Sequence, residues 1–83
     1  MLPLSEHARF EMRRRGIPES IVQQVLEKPE QKIRLARGRE IWQNRVKMED
    51  REYVVRLVLE LNPEIKIITV YRSSKINKYW REQ

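Results

Sequence analysis

The sequence predicts an α+β fold in which an N-terminal helical hairpin packs on a four-stranded antiparallel sheet, in the order ααββββ. Three observations predict it. Apolar residues recur at helical spacing through the first third of the chain and then alternate with polar residues. The segments are joined by short connections, which favour an antiparallel meander. The chain has 83 residues, which fits a single domain over residues 1–83.

The first helix is expected over residues 5–15. Ser5 can cap its N-terminus, and Ala8 and Met12 lie four residues apart on one face. Gly16 follows a run of three arginines and suits the left-handed residue that ends many helices. The second helix is expected over residues 17–30, with Pro18 near its start and an apolar stripe formed by Ile21, Val22, Val25 and Leu26.

Four strands are expected over residues 32–37, 40–48, 53–61 and 65–71. In the third strand, one face carries Tyr53, Val55, Leu57, Leu59 and Leu61, and the opposite face carries Val54, Arg56 and Val58. In the fourth strand, Ile68, Val70 and Arg72 share a face. The helices can cover only one side of this sheet. The other side must be solvated, or covered by a partner or a ligand.

The formal net charge is +6, which favours polyanionic partners such as a nucleic acid or an acidic protein. The chain has no cysteine and one histidine, so neither a disulfide nor a metal site is expected, and no cofactor is expected. No apolar segment is long enough to cross a bilayer, and the first residues do not resemble a signal peptide. We expect a cytoplasmic protein without a membrane partner.

The residue types present point to cationic chemistry on a phosphate. A glycine-rich phosphate loop and a nucleophilic serine motif are both absent from the sequence. RNA can be cleaved without metal by a base, an acid and cations that stabilise the phosphate charge. Arg56 interrupts an apolar strand, and it either forms an ion pair, reaches solvent or faces a ligand. If the third and fourth strands pair, Arg56 and Arg72 could form a phosphate clamp.

The C-terminal stretch "VYRSSKINKYW" mixes cations with aromatic rings. Lys75, Lys78 and Tyr79 could hold RNA or transfer protons, and an aromatic ring there could stack on a base. Trp80 could instead plug the edge of the core. His7 is a candidate base that Glu11 could orient, since the two lie one turn apart. Further candidate nucleic-acid contacts are Arg14, Arg15 and Arg45. The alternative for Arg14 and Arg15 is an ordinary solvated helix end.

Two segments, "HARFEMRRRGIPESIVQQVLEKPE" and "TVYRSSKINKYW", resemble the small bacterial family called domain of unknown function 4258. Its layout looks like that of the RelE/ParE toxin superfamily, including BrnT-type ribonuclease toxins. That resemblance implies a metal-independent endoribonuclease that cuts messenger RNA on the ribosome. It also implies a cognate acidic antitoxin partner, phosphate-gripping roles for Arg56 and Arg72, and a proton-transfer role for Tyr79.

The leading hypothesis is therefore a toxin-type endoribonuclease with His7, Arg56, Arg72 and Tyr79 as catalytic candidates. A non-catalytic nucleic-acid-binding module requires the same charge but no proton-transfer group. A basic protein-interaction domain is the third hypothesis.

Overall fold

The computed structural model describes residues 2–82 and has the predicted order of two helices followed by four strands. The regular elements are α1 (Glu6–Arg14), α2 (Glu19–Glu27), β1 (Gln31–Arg34), a 3₁₀ turn (Ala36–Gly38), β2 (Arg39–Met48), β3 (Arg51–Glu60), β4 (Lys66–Ser73) and a short α3 (Ile76–Tyr79). The fold prediction is confirmed for α1 to β4, and α3 is an addition that the sequence pattern did not indicate.

The four strands form one antiparallel sheet in the order β1-β2-β3-β4. The chain segment before α1 runs along the outer edge of β4, where Leu4 forms a parallel bridge with Ile67. The Ser5 N–H donates to the Ile67 carbonyl at 2.9 Å, and the Ile67 N–H donates to the Pro3 carbonyl at 2.8 Å. This pairing satisfies main-chain groups that an open edge strand leaves unpaired.

Local signals in the sequence place the helix ends. Ser5 caps α1, and its hydroxyl accepts a hydrogen bond from the Ala8 N–H at 3.0 Å. Gly16 has φ +62°, the left-handed conformation that a residue with a Cβ adopts at a cost. Pro18 precedes α2, where the missing N–H of proline removes no helical hydrogen bond. These three residues set the predicted helical hairpin.

The hydrophobic core lies between the helices and one side of the sheet, called here the helix side. It contains Ala8, Met12, Ile17, Val22, Val25, Trp42, Val55, Leu57, Leu59, Ile67 and Val70, all buried. The apolar face predicted for β3 is therefore the core face. The opposite side of the sheet carries Val54, Arg56 and Val58, and is called here the tail side because the C-terminal residues lie on it.

Three details of the sheet differ from the prediction. β1 ends at Arg34, because the chain turns through a left-handed Arg37 and Gly38. The β2–β3 turn needs only Glu49 and Asp50, both with positive φ, which matches the twist of a tight hairpin. The β3–β4 register shifts between Val58 and Leu59. This bulge lets Ile67 and Val70 both face the core. Val70 and Arg72 share a side of the sheet, as predicted, while Ile68 is half-buried, has no paired residue in the register and lies outside the core cluster.

Candidate nucleic-acid interface

A row of polar side chains crosses the tail side of the sheet, one from each strand. The strand register pairs Gln31 with Gln43, Gln43 with Arg56, and Arg56 with Tyr71. Directly opposed residues of an antiparallel sheet point to the same side, so these four side chains lie next to one another. We call them the polar row. Three of its members, Gln31, Gln43 and Arg56, are buried.

Arg56 lies at the centre of the polar row. Its Nε donates to Gln43 Oε1 at 2.8 Å, and its Nη1 donates to Tyr71 Oη at 2.6 Å. The residue is only 7% exposed, yet within residues 2–82 it forms no ion pair. The guanidinium carbon instead lies 4.4 Å from the centre of the Tyr79 ring and 5.5 Å from that of Tyr71. Arg56 is thus a buried cation held by neutral groups, a costly arrangement away from water.

The C-terminal segment, residues 75–82, covers this row. Gln43 Nε2 donates to the Tyr79 carbonyl at 3.1 Å. Gln31 pairs with the main chain of Arg81 in both directions: its Nε2 donates to the Arg81 carbonyl at 2.7 Å, and its Oε1 accepts from the Arg81 N–H at 3.1 Å. Two glutamine amides therefore fix the segment to the sheet, and the Tyr79 ring meets the Tyr71 ring edge-on at 6.1 Å.

Cations and aromatic rings alternate around the C-terminal segment. Arg45, on the tail side of β2, lies with its guanidinium carbon 5.6 Å from the Trp80 ring centre. Lys78 Nζ lies 5.4 Å from the Tyr79 ring centre. Lys75 precedes α3 and is exposed. We call Arg45, Lys75, Lys78, Tyr79 and Trp80 the rim; both rings are half-buried, so each keeps part of its surface open. Trp80 is therefore not a fully buried core plug.

Arg72 does not join Arg56. It pairs in register with Val55, a core residue, and so points to the helix side. There its guanidinium carbon lies 4.5 Å from the Tyr53 ring centre, and its Nη1 donates to Glu49 Oε1 at 3.3 Å. The prediction of a phosphate clamp made by Arg56 and Arg72 is wrong, because the strand register places them on opposite sides of the sheet.

Arg14 and Arg15 both bind Glu11 on α1. Arg14 donates to the two carboxylate oxygens at 2.9 and 2.8 Å, and Arg15 Nε donates at 3.1 Å. The hydrogen bond from Arg14 is the main reason that the pKa of Glu11 falls from 4.5 to about 2, against the opposing effect of burial. Glu11 in turn raises the pKa of Arg14. These two arginines therefore form ion pairs with Glu11 at the end of α1, away from the tail side.

His7 is exposed on α1, at the helix side of the molecule, and is not brought near Arg56. Within residues 2–82 no hydrogen bond joins its ring to Glu11, whose carboxylate is taken by the arginines. The prediction that Glu11 orients His7 is wrong. Of the four catalytic candidates, only Arg56 and Tyr79 lie together.

Arg45 contacts both the Trp80 ring of the rim and two acidic residues, Glu52 and Glu30. Its Nη2 forms an ion pair with Glu52 at 2.8 Å, and its main-chain N–H donates to Glu30 Oε1 at 2.7 Å. The hydrogen bond that Arg45 donates to the Glu52 carboxylate raises the pKa of Arg45. Its side chain is nevertheless 44% exposed, so a second anion can reach it.

Two classes of site receive no support in the described part of the chain. Among residues 2–82, no three His, Cys, Asp or Glu side chains are grouped closely enough to hold a metal ion. None of the helices in that range is long and apolar enough to cross a membrane.

Gln31, Gln43 and Tyr71 are the members of the polar row that the sequence interpretation did not identify. A glutamine inside a strand gives little signal by itself. The strand pairing could have identified them. The tight turns fix the register of β1–β2 and β2–β3, and that register aligns Gln31 and Gln43 with Arg56.

Comparison with known proteins places the chain in a family. Neither the curated proteins nor the solved structures include a match to this chain. The family model described as Domain of unknown function (DUF4258) matches residues 4–72, which takes in α1 to most of β4 and leaves out the C-terminal segment with Lys75, Lys78 and Tyr79. The matched range covers well over half of the sequence. The chain therefore belongs to the DUF4258 family.

Proposed function

We propose that this protein binds single-stranded RNA at the rim on the tail side of its sheet. The observation that supports the proposal most directly is the alternation of cations and rings, with Arg45 against Trp80 and both Arg56 and Lys78 against Tyr79. Proteins that bind single strands combine cations, which track the phosphates, with rings on which bases stack. A stacked base contributes about 1–3 kcal/mol in such proteins.

The charges of the rim suit the same ligand. Lys75, Lys78 and Arg45 are exposed, and the whole chain carries a formal charge of +6. Arg56 is buried behind the Tyr79 ring without a carboxylate partner in residues 2–82, so its positive charge adds to the potential at this face. In this proposal Arg56 positions Tyr79 and attracts the backbone, while the exposed cations contact phosphates.

The first test is RNA binding by a variant in which both rim lysines are replaced, Lys75→Gln with Lys78→Gln. Binding to a labelled RNA of about 12 nucleotides is followed by fluorescence anisotropy at several salt concentrations. We expect affinity to fall about tenfold, and the slope of log affinity against log salt to shrink by about 1.4, because two phosphate contacts are lost. A duplex of the same length should bind more weakly, because its base faces are hidden.

The matched control replaces two exposed lysines away from the rim, Lys28→Gln with Lys66→Gln. This control removes the same charge but no proposed contact, so its affinity should stay within about twofold of the unmodified protein. If both double variants lose affinity equally, net charge alone explains the binding, and the proposed interface is wrong.

One contact favours RNA cleavage as a second candidate function. Arg56 Nη1 donates to Tyr71 Oη at 2.6 Å, which places a phenol beside a guanidinium. The phenol keeps its own O–H for another partner and could protonate a leaving 5′-oxygen, while the guanidinium stabilises phosphate charge. Because Arg56 is buried, the C-terminal segment would have to move before a phosphate could reach this pair.

Cleavage is tested with single-stranded RNA in the presence of EDTA. If the protein cleaves, the products should carry 2′,3′-cyclic phosphate, and Tyr71→Phe should slow cleavage by about 100-fold or more with RNA affinity unchanged. Intact RNA after incubation with the unmodified protein would leave a non-catalytic binding module as the function.

A further inference from the structure

The C-terminal segment covers only part of the tail side. Along the tail face of β3, Val54 is fully buried and Arg56 is 7% exposed, whereas Val58, the next residue on that face, is only half-buried. The strand register pairs Val58 with Ile41, and Ile41 with Ile33. These three aliphatic side chains therefore lie in one line across the tail side, next to the polar row and beyond the covering segment.

Leu35 extends this line into an apolar patch. It follows β1 in an extended conformation, and its N–H donates to the Arg39 carbonyl at 2.9 Å. The alternation of the strand therefore continues, and Leu35 points to the same side as Ile33. Leu35 is 41% exposed. We call Ile33, Leu35, Ile41 and Val58 the aliphatic patch; in the described residues none of them belongs to the core or packs against it.

A row of charges with alternating sign borders the aliphatic patch. The register pairs Arg39 with Glu60, and Glu60 with Lys66, so these side chains lie on the tail side of β2, β3 and β4. Arg39 and Glu60 form an ion pair at 3.2 Å, and their side chains stay 46% and 44% exposed. Lys66 is exposed and forms no ion pair within residues 2–82.

This row is self-complementary. When a second copy is rotated by a two-fold axis and offset by one strand, Glu60 of each copy lies opposite Lys66 of the other. The arrangement forms two opposite-charge pairs at the border of the patch, and it places the apolar side chains of the two copies against one another.

We propose that the aliphatic patch is the contact surface of a homodimer, in which the patches of two copies pack face to face. Burial of apolar surface stabilises this contact, and the alternating charges fix its register. Single-stranded RNA matches the patch poorly, because the patch offers no ring for a base to stack on and Glu60 repels phosphate. A uniformly acidic protein meets the same repulsion at Glu60. A second copy supplies both signs of charge.

Sedimentation equilibrium of the intact chain tests the proposal. The salt concentration is about 150 mM, so that the repulsion between two copies of charge +6 is largely screened. Four apolar side chains form a small interface, so we expect a dissociation constant of about 50 µM, measured over about 1–500 µM protein. The variant Leu35→Ser with Ile41→Thr should dimerise at least about tenfold more weakly, because each copy loses two apolar contacts.

The matched control is Phe10→Ser with Ile65→Ser. These two apolar side chains are 61% and 40% exposed and lie outside the patch. The control should dimerise within about twofold of the unmodified protein, because the substituted positions are distant from the contact. Circular dichroism should show both variants folded.

An exchange of charges tests the pairing between the copies. Glu60→Lys alone and Lys66→Glu alone each place like charges opposite one another, so each should dimerise about tenfold more weakly. An equimolar mixture of the two variants restores an opposite-charge pair at both positions, and it should dimerise within about threefold of the unmodified protein.

The proposal is overturned if the unmodified chain stays monomeric throughout this concentration range, or if the patch variant dimerises as well as the control. A mixture of the charge variants that is no stronger than either variant alone overturns it as well. In a monomeric chain, weaker RNA binding by the patch variant would assign the patch to RNA instead, and unchanged RNA binding would leave it to a different protein.

Discussion

At the scale of single residues, the two arginines of the central strands have different roles. Arg56 is buried with two hydrogen bonds to neutral groups and a ring over its guanidinium. The side chain of Arg72 is 23% exposed; its guanidinium lies over the Tyr53 ring and forms one ion pair, at 3.3 Å, with the exposed Glu49. Removing a buried polar group leaves its hydrogen-bond partners unsatisfied and lowers stability, whereas an ion pair with an exposed residue contributes little to stability.

Arg56→Ala should therefore destabilise the protein much more than Arg72→Ala. We expect a loss of about 2–4 kcal/mol in the free energy of unfolding for Arg56→Ala, because the change leaves a cavity and unpaired groups on Gln43 and Tyr71. For Arg72→Ala we expect about 1 kcal/mol or less. Urea denaturation measures both. Equal losses would contradict the burial and bonding described for Arg56.

Glu11 gives the protein a predictable pH dependence. Its pKa in the folded state is lowered to about 2 from 4.5, so the carboxylate stabilises the fold above the unfolded value. That contribution should be lost as pH falls from about 4.5 towards 2, because the unfolded chain takes up the proton first. Glu11→Gln should unfold at a lower temperature at neutral pH and show a shallower decline through this acid range. Parallel declines in the two proteins would count against the Glu11–Arg14 pairing.

At the scale of elements, the C-terminal segment depends on two glutamines for its place on the sheet. Gln31 makes both of its contacts to that segment through the main chain of Arg81, so the attachment does not require a particular side chain at position 81. The segment also lies outside the range matched by the family model. Its main chain is bonded to β1 and β2, while the Tyr79 ring contacts Arg56 of β3 and Tyr71 of β4.

Gln31→Ala should loosen this segment without unfolding the sheet. Losing the two hydrogen bonds to Arg81 should speed amide exchange at Arg81 by about 30-fold, since each net hydrogen bond contributes about 1 kcal/mol. Gln23→Ala is the control, because Gln23 bonds only to Glu27 on the exposed surface of α2. Unchanged exchange at Arg81 would mean that other contacts hold the segment.

The sequence pattern predicted where helices and strands lie better than it predicted which side chains of each strand face the core. Ser5, Gly16 and Pro18 marked the helix ends, and alternation marked the strands. The pattern of β4 did not decide which face enters the core, because Ile67 and Ile68 are both apolar and the bulge beside Leu59 resolves the choice. That bulge and the β3–β4 register put Arg72 on the helix side.

At the scale of the whole molecule, the helix side and the tail side of the sheet carry different kinds of residue. The helix side holds the core and retains Arg14, Arg15, Arg72 and the exposed His7. The tail side carries the polar row and the rim. The positive charge of the chain is thus distributed over both sides of the sheet, but only along the rim do cations alternate with half-buried rings in the described residues.

The central claim, that RNA stacks on the rim, is tested most directly by tryptophan fluorescence. The two tryptophans lie on different surfaces: Trp80 is on the rim, and Trp42 is buried in the core on the helix side. An RNA of about 5 nucleotides should quench the emission of the unmodified protein. The quenching should vanish in Trp80→Phe, while anisotropy shows that binding persists. Quenching that survives in Trp80→Phe, or binding that leaves the emission unchanged, would contradict the account.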